Sequence, residues 1–249
     1  MKVLIVFAHP DPQSLNGSLK NSAVNILEEA GHEVVVSDLY QMKWKSAGDA
    51  DDFLNHPATE RLYYTRASKK AYLDNQQSAD ITIEQEKVRW ADVIIFQFPL
   101  WWFTVPAILK GWIDRVYANG FAYGTGERYG AGNMVGKKGM VITTIGGSAA
   151  EYAPTGINGD INDLLFHIHH GMFWFNGAAP LPPFPVYDAH HVTPPVYAQL
   201  EQSLKDRLLS IPTTTPILFR SDKSGDYTPE GLLSETIAVK GEGLLVHQL

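Results

Sequence analysis

Short unbroken apolar runs alternate along this chain with stretches whose apolar residues recur at helical spacing. "KVLIVFAH" (2–9), "DVIIFQFP" (92–99) and "GMVITTI" (139–145) have the form of strands buried on both faces. "HEVVVSDL" (32–39) is a fourth run and "PFPVYDA" (183–189) a weaker fifth. Between them, "GSLKNSAVNILEEAGH" opens on a cap at Asn16 or Ser18 and stops at Gly31, and "PAILKGWIDRVYANG" opens with Pro106 in a first-turn position and ends at Gly120. "GDINDLLFHIHHGMFWFNG" carries Ile161, Leu164, Leu165, Ile168, Met172 and Phe175 on one helical stripe, and "PPVYAQLEQSLKDRLLSI" forms a late amphipathic helix. This alternation predicts an α/β fold, a doubly wound parallel sheet with helices on both faces. Residues 1–215 read as one domain and 216–249 as a tail packed on it. The polar stretch 48–81 reads as an irregular insertion with short helices.

Composition narrows the function. With 249 residues, 45% apolar and 19% charged, the chain can bury a sizeable core. The formal charge of −7, with no Lys/Arg-rich block, argues against a nucleic-acid partner. The absence of cysteine removes disulfides, thiolate nucleophiles and cysteine-held metal centres, so redox chemistry would need a bound cofactor. "MKVLIVFAHPDP" is too short for a signal h-region, and Val93 to Leu109 is too short and too interrupted by Pro99 and Pro106 to span a bilayer. A cytoplasmic protein is expected.

In a doubly wound sheet, ligands settle beyond the carboxyl ends of the strands, where strand order reverses. Three loops lie there: "AHPDPQSLNGS", "FPLWWFTVP" and "TTIGGSAAEY". None carries a G-x-G-x-x-G fingerprint, and "GNMVGKK" lacks the spacing and the Ser or Thr of a Walker loop. Ser14, Asn16, Gly17 and Ser18 stand at a helix start, suited to phosphate but equally to an ordinary cap. Trp101, Trp102 and Phe103 cannot all enter one core; together they supply a planar wall on which a conjugated ring can stack. Gly146 and Gly147 allow close backbone approach to such a ring. A flat, phosphorylated heteroaromatic cofactor satisfies all three loops, and flavin is the natural candidate.

"FQFPLWWFTVPAILKGWIDRV", "FAY" (121–123), "TTIGGS" running on to Tyr152, "GINGD" (156–160), "AHPDPQSLN" and "VSDLY" closely resemble the NAD(P)H:quinone oxidoreductase family of flavodoxin-like flavoproteins. The resemblance runs from the first strand to about Phe219. It implies a flavodoxin-like five-stranded sheet, tightly bound FAD rather than FMN, NAD(P)H as electron donor, a quinone-like acceptor, and a homodimer with active sites at the interface. Carried over, His9, Ser14, Leu15 and Asn16 match positions at the pyrophosphate and ribityl part of FAD. Pro99, Leu100, Trp102 and Phe103, with the neighbouring Trp101, match those lining the isoalloxazine. Thr144, Gly146 and Gly147, with Ile145 between them, match its polar-edge contacts. Trp102, Tyr123 and Phe175 match substrate-pocket positions, Phe175 from the other subunit, and Tyr152 matches the catalytic tyrosine.

Departures from the family pattern bear on mechanism. Six residues after Tyr152 this chain has Asn158 where the best-known animal enzymes have histidine, so a tyrosine–histidine proton relay is excluded: an amide donates a hydrogen bond but does not take up the proton. Thr125 replaces a pocket tyrosine, Ile145 replaces a threonine, and Tyr197 stands where the family has an adenine-side arginine. His167, His169 and His170 lack a fourth ligand at metal spacing and read as interface or surface histidines. "EQEKVRW" (84–90), Lys110 and Arg115 read as solvated helix faces. Two other classes compete with an enzyme: a flavodoxin-type electron carrier, and an ancillary subunit of a potassium-efflux transporter, for which the sequence marks no docking surface.

Overall fold

The computed structural model describes residues 1–239 and 241–249. Strand β1 (Lys2–Phe7) is followed by helix α1 (Leu15–Glu29), β2 (Glu33–Asp38), α2 (Tyr64–Leu73), α3 (Ala79–Trp90), β3 (Val93–Pro99), α4 (Ala107–Val116) and β4 (Lys138–Thr144). A short α5 (Ile161–Leu164), strands β5 (Ala179–Pro180) and β6 (Phe184–Val186), and α6 (Pro194–Leu209) complete the framework. All pairings are parallel, in the order β2-β1-β3-β4-β5, with β6 also on β4. The expected doubly wound sheet is therefore present. Its fifth lane is built from two short pieces because Pro182 and Pro183 interrupt it and have no N–H for the ladder.

Side-chain alternation along β1 builds two cores. Val3, Ile5 and Phe7 face α1 and α6, meeting Leu19, Leu27, Leu204 and Leu208. Leu4 and Val6 face the other way, towards Ile81 and Val88 of α3, Leu109 and Trp112 of α4, and Phe173. Strand β3 is buried at all seven positions, as expected for a central parallel strand covered on both sides. The order reverses between β1 and β3, and the loops after these strands and after β4 open at one end of the sheet.

The 48–81 stretch holds more order than its polarity suggests, and two charged residues read as solvated prove buried. Arg115 is 2% exposed. Its guanidinium donates to Asp52 at 2.9 and 3.1 Å and to the Lys45 carbonyl at 3.0 Å, pairs with Asp80 at 2.7 Å, and lies over the Trp44 ring. Arg115 thus pins the 44–52 segment and the start of α3 to α4. Within "EQEKVRW", Glu84 is fully buried and accepts from Ser37 at 2.7 Å and the Trp112 indole at 2.8 Å, with Lys87 also paired to it. Lys110 is exposed and pairs with Asp114.

The stretch expected as one long helix is broken. After α5 the backbone opens into wide π turns over His167–Phe173, then tightens over Trp174–Asn176 and ends at Gly177 in the left-handed region (φ 90°). Phe173 stacks on Phe96 at 4.7 Å. His169 is 2% exposed and is not a surface residue. His170 is half-buried, stacking on Phe166 and packing beside Phe219 and His247 of the tail. His167 hydrogen-bonds Thr104 at 2.8 Å. Among the described residues no cluster of three or more His, Cys, Asp or Glu is arranged to hold a metal. Burial, aided by the neighbouring His167 and His247 respectively, lowers the pKa of both His169 and His170 to about 4. Depressed values mean that the unfolded chain binds these protons first. Stability should therefore be full above about pH 6.5 and fall as pH drops towards about 4. Urea melts at pH 7 and pH 5 should show the loss, and His169→Gln should reduce it while leaving the part due to His170.

Candidate active site

The loop after β1 is held by its own polar groups. The His9 ring sits 3.0 Å from the Asp11 backbone, and Ser14 caps α1, accepting from Gly17 N–H at 3.1 Å while donating to the Asp11 carbonyl at 2.7 Å. The N–H groups of Leu15 and Asn16 have no acceptor among the described residues, leaving free donors at the positive end of a 15-residue helix. Asn16 is 1% exposed; its Nδ2 donates to Thr144 Oγ1 at 3.0 Å and its backbone carbonyl accepts from Gln97 at 2.9 Å. Its buried Oδ1 has no partner. One residue at the start of α1 thus joins the ends of β3 and β4, through its backbone carbonyl and its side chain, and retains an acceptor that only a ligand or water can satisfy.

The loop after β3 forms a tight hairpin. Trp101 and Thr104 exchange two backbone hydrogen bonds of 3.1 Å, and the residues between them, Trp102 and Phe103, both have left-handed backbone, φ 50° and 61°. This is the geometry for which Asn-Gly is preferred, because a Cβ there costs about 1–2 kcal/mol per residue. Placing two large rings in those positions turns them outward. Trp102 is 92% exposed, Phe103 46% and Trp101 42%. All three rings are therefore displayed outside the core.

Across from the hairpin, the loop after β4 turns at Gly146 and Gly147. A Cβ on Gly147 would stand 2.8 Å from Glu151 Oε2 and 3.0 Å from the Tyr152 ring, so a side chain there would have to displace the Glu151 carboxylate. Neither glycine N–H has an acceptor among the described residues. Ile145 differs from its neighbours. Its side chain is buried, its N–H donates to Val186 and its carbonyl accepts from Ala189, so the sheet already uses its backbone. Tyr152 is half-buried beside Tyr187, ring centroids 6.0 Å apart; burial first, and Glu151 second, raise its pKa and keep the hydroxyl a donor. Asn158 lies on the adjoining turn, its N–H donating to the Glu151 carbonyl at 3.0 Å.

These loops enclose a cleft of about 360 Å³. His9, Ser14, Leu15 and Asn16 line one wall; Pro99, Leu100, Trp101, Thr144 and Gly146 line the others. Ala189 and His190 complete it, from the loop after β6. A second hollow of about 390 Å³ shares Leu15 and Ala189 and continues to Thr193, Pro194 and Tyr197, whose hydroxyl meets Ser22 at 2.9 Å. Tyr123 and Phe175 stand elsewhere. Their rings lie 5.2 Å apart and line a separate hollow of about 520 Å³ with Tyr64, Asp114 and Met172. One chain therefore presents the Tyr123–Phe175 pair and the cleft on different surfaces.

The described flavodoxin-like fold model matches residues 1–208. A ribosyldihydronicotinamide dehydrogenase-like protein of Penicillium crustosum is 49% identical over 236 residues, 92% of this chain and 87% of that protein. The NAD(P)H dehydrogenase [quinone] 1 of Cavia porcellus is 42% identical over 221 residues, covering 88% of this chain and 80% of its own. The chain belongs to the NAD(P)H:quinone oxidoreductase family. A solved structure from Klebsiella pneumoniae, described as that of a quinone reductase, superposes on the whole chain with a TM-score of 0.96 at 50% identity. Within the family frame, His190, Ala189, Tyr187 and Glu151 are the site residues that sequence reasoning passed over. The signal for the first three was present: they follow the fifth strand at the same carboxyl end.

Proposed function

We propose that this protein is an FAD-dependent NAD(P)H:quinone oxidoreductase that reduces quinones or related flat acceptors by alternating half-reactions. The observation that carries the reading is the convergence, in one cleft, of the free N–H groups on Leu15, Asn16 and Gly146, the orphaned Asn16 Oδ1 and the Trp101 ring, with Gly147 and the exposed Trp102 and Phe103 next along the same loops. These donors, this acceptor and this planar wall fit a phosphorylated, hydroxylated, ring-bearing group. Leu15 and Asn16 would hold phosphate, Asn16 Oδ1 a polyol hydroxyl, and Gly146 and Gly147 the polar ring edge. The hollow running to Tyr197 supports the longer FAD over FMN, since it extends the cleft beyond a mononucleotide's needs.

A bound flavin supplies two-electron chemistry, taking hydride from a reduced nicotinamide and delivering it to the acceptor. This chain's residues do the rest. The exposed rings give donor and acceptor one shared stacking surface, which makes their occupancy successive. Tyr152 offers a neutral hydroxyl where negative charge develops, and Asn158 does not relay its proton. The open face of Trp102 and the distant Tyr123–Phe175 pair support a homodimer, in which Tyr123 and Phe175 of the partner subunit cover the shelf. Among the described residues no helix is long and apolar enough to cross a membrane, compatible with a cytoplasmic enzyme. The names of its relatives divide between the dinucleotide and its ribosyl form as donor.

The purified protein should be yellow and release FAD on denaturation, with the colour bleached by NADPH and restored by a benzoquinone. A colourless protein that binds neither flavin would end this reading. Tyr152→Phe should slow stopped-flow bleaching about tenfold, the worth of one hydrogen bond to developing charge; an unchanged rate would remove Tyr152 from the mechanism.

A further inference from the structure

Glu151 stands out beside the proposed site because its carboxylate is bound into the turn that carries the paired glycines. Its Oε2 accepts from the Ser148 N–H at 2.6 Å and the Ser148 hydroxyl at 3.0 Å, a reciprocal cap on the short helical turn Ala149–Tyr152. The turn Gly146-Gly147-Ser148 thus has three consecutive N–H groups, of which Glu151 takes the third and leaves the first two free. The same carboxylate oxygen and the Tyr152 ring crowd the space beside Gly147. The Glu151 carbonyl accepts from Asn158 N–H at 3.0 Å, so the residue also fastens the next turn.

We propose that Glu151 is a positioning residue: its side chain fixes the glycine turn so that two N–H groups stay open to a ligand edge, and sets a negative charge beside the Tyr152 ring. The proposal rests on the reading of the cleft as a flavin site, but its two physical claims hold for the flavin-free chain. The first follows from capping. A side-chain acceptor that satisfies a turn's N–H prevents that turn from rearranging, and removing it releases the segment. The second follows from charge. A carboxylate next to a phenol disfavours phenolate, adding to the effect of partial burial. Other ionisable groups near Tyr152 are Tyr187, itself influenced by Asp160, and His190, which stands across from Gly146. Asp160 and Tyr152 both disfavour ionisation of Tyr187, after its own partial burial. His190 belongs to the opposite wall.

Glu151→Gln and Glu151→Ala separate the claims, because the amide oxygen can keep the cap while losing the charge. On the full-length chain without flavin, Tyr152 ionisation is read by ring-carbon NMR and assigned by Tyr152→Phe. It should become about twofold to fivefold more acidic in both variants, as for one exposed neighbouring charge. Exchange of the Ser148 amide should stay slow in Glu151→Gln and accelerate about fivefold or more in Glu151→Ala. FAD should bind about fivefold more weakly to Glu151→Ala, with less than about twofold change in Glu151→Gln. An unmoved Tyr152 titration in Glu151→Gln overturns the charge claim, and equal Ser148 exchange in wild type and Glu151→Ala overturns the turn claim. Wild-type protein that binds no flavin would defeat the functional reading, while the titration and exchange results would still decide the role of Glu151.

Discussion

Arg115→Ala should lower unfolding free energy by about 3 kcal/mol, the low end for removing one partner of a buried ion pair, because Lys45 still faces the carboxylate. Asp52 is fully buried and accepts twice from Arg115, with Lys45 and Tyr64 as further partners. Removing the guanidinium also frees the Lys45 carbonyl, Asp80 and the Trp44 face at once. Chemical denaturation measures the loss directly. Arg115→Met with Asp52→Leu should recover part of it, because a buried ion pair replaced whole by apolar groups costs far less than one broken in half. A single variant within about 1 kcal/mol of wild type would mean that water reaches Asp52 and that the pair is not dry.

Gly17→Ala should destabilise the fold by about 1–3 kcal/mol and, by displacing the loop after β1, weaken flavin binding by up to about 100-fold. A Cβ at Gly17 would overlap the Pro12 carbonyl oxygen and stand 2.8 Å from its carbonyl carbon. Both are backbone atoms, so relief comes only by moving the 9–14 loop, which positions His9 and the Ser14 cap. Equilibrium titration with FAD and with FMN would read the effect. Retained affinity for both would show that the loop can shift without disturbing its free N–H groups.

The sheet was legible because burial on both faces writes itself as unbroken apolar runs, and β1, β3 and β4 carry the clearest of them. The site followed from topology, since strand-end loops rich in glycine and aromatics had to meet where strand order reverses. Arg115 and Glu84 were not legible. Whether a charged helical residue is solvated depends on partners that arrive from elsewhere: Asp52 lies 63 residues from Arg115, and Ser37 lies 47 from Glu84. His169 is similar, its burial decided by how the π turns pack under the sheet rather than by its neighbours in sequence. Helical spacing over 161–175 marked Ile161, Leu165, Ile168 and Met172, which are buried, but also Leu164 and Phe175, which are half-buried, and it passed over Phe166 and Phe173, because the π turns shift the buried face along the chain. The fifth strand was expected as one run over 183–189, whereas pairing is confined to Ala179–Pro180 and Phe184–Val186, which places Tyr187, Ala189 and His190 in the loop beyond it.

The hairpin at Trp102–Phe103 also sets a limit on engineering this protein. A search for thermostabilising substitutions would select these two left-handed positions first and replace the rings with asparagine and glycine. Such a redesign would melt higher and lose its stacking shelf, since the conformational cost at this corner is what points aromatic carbon at the solvent.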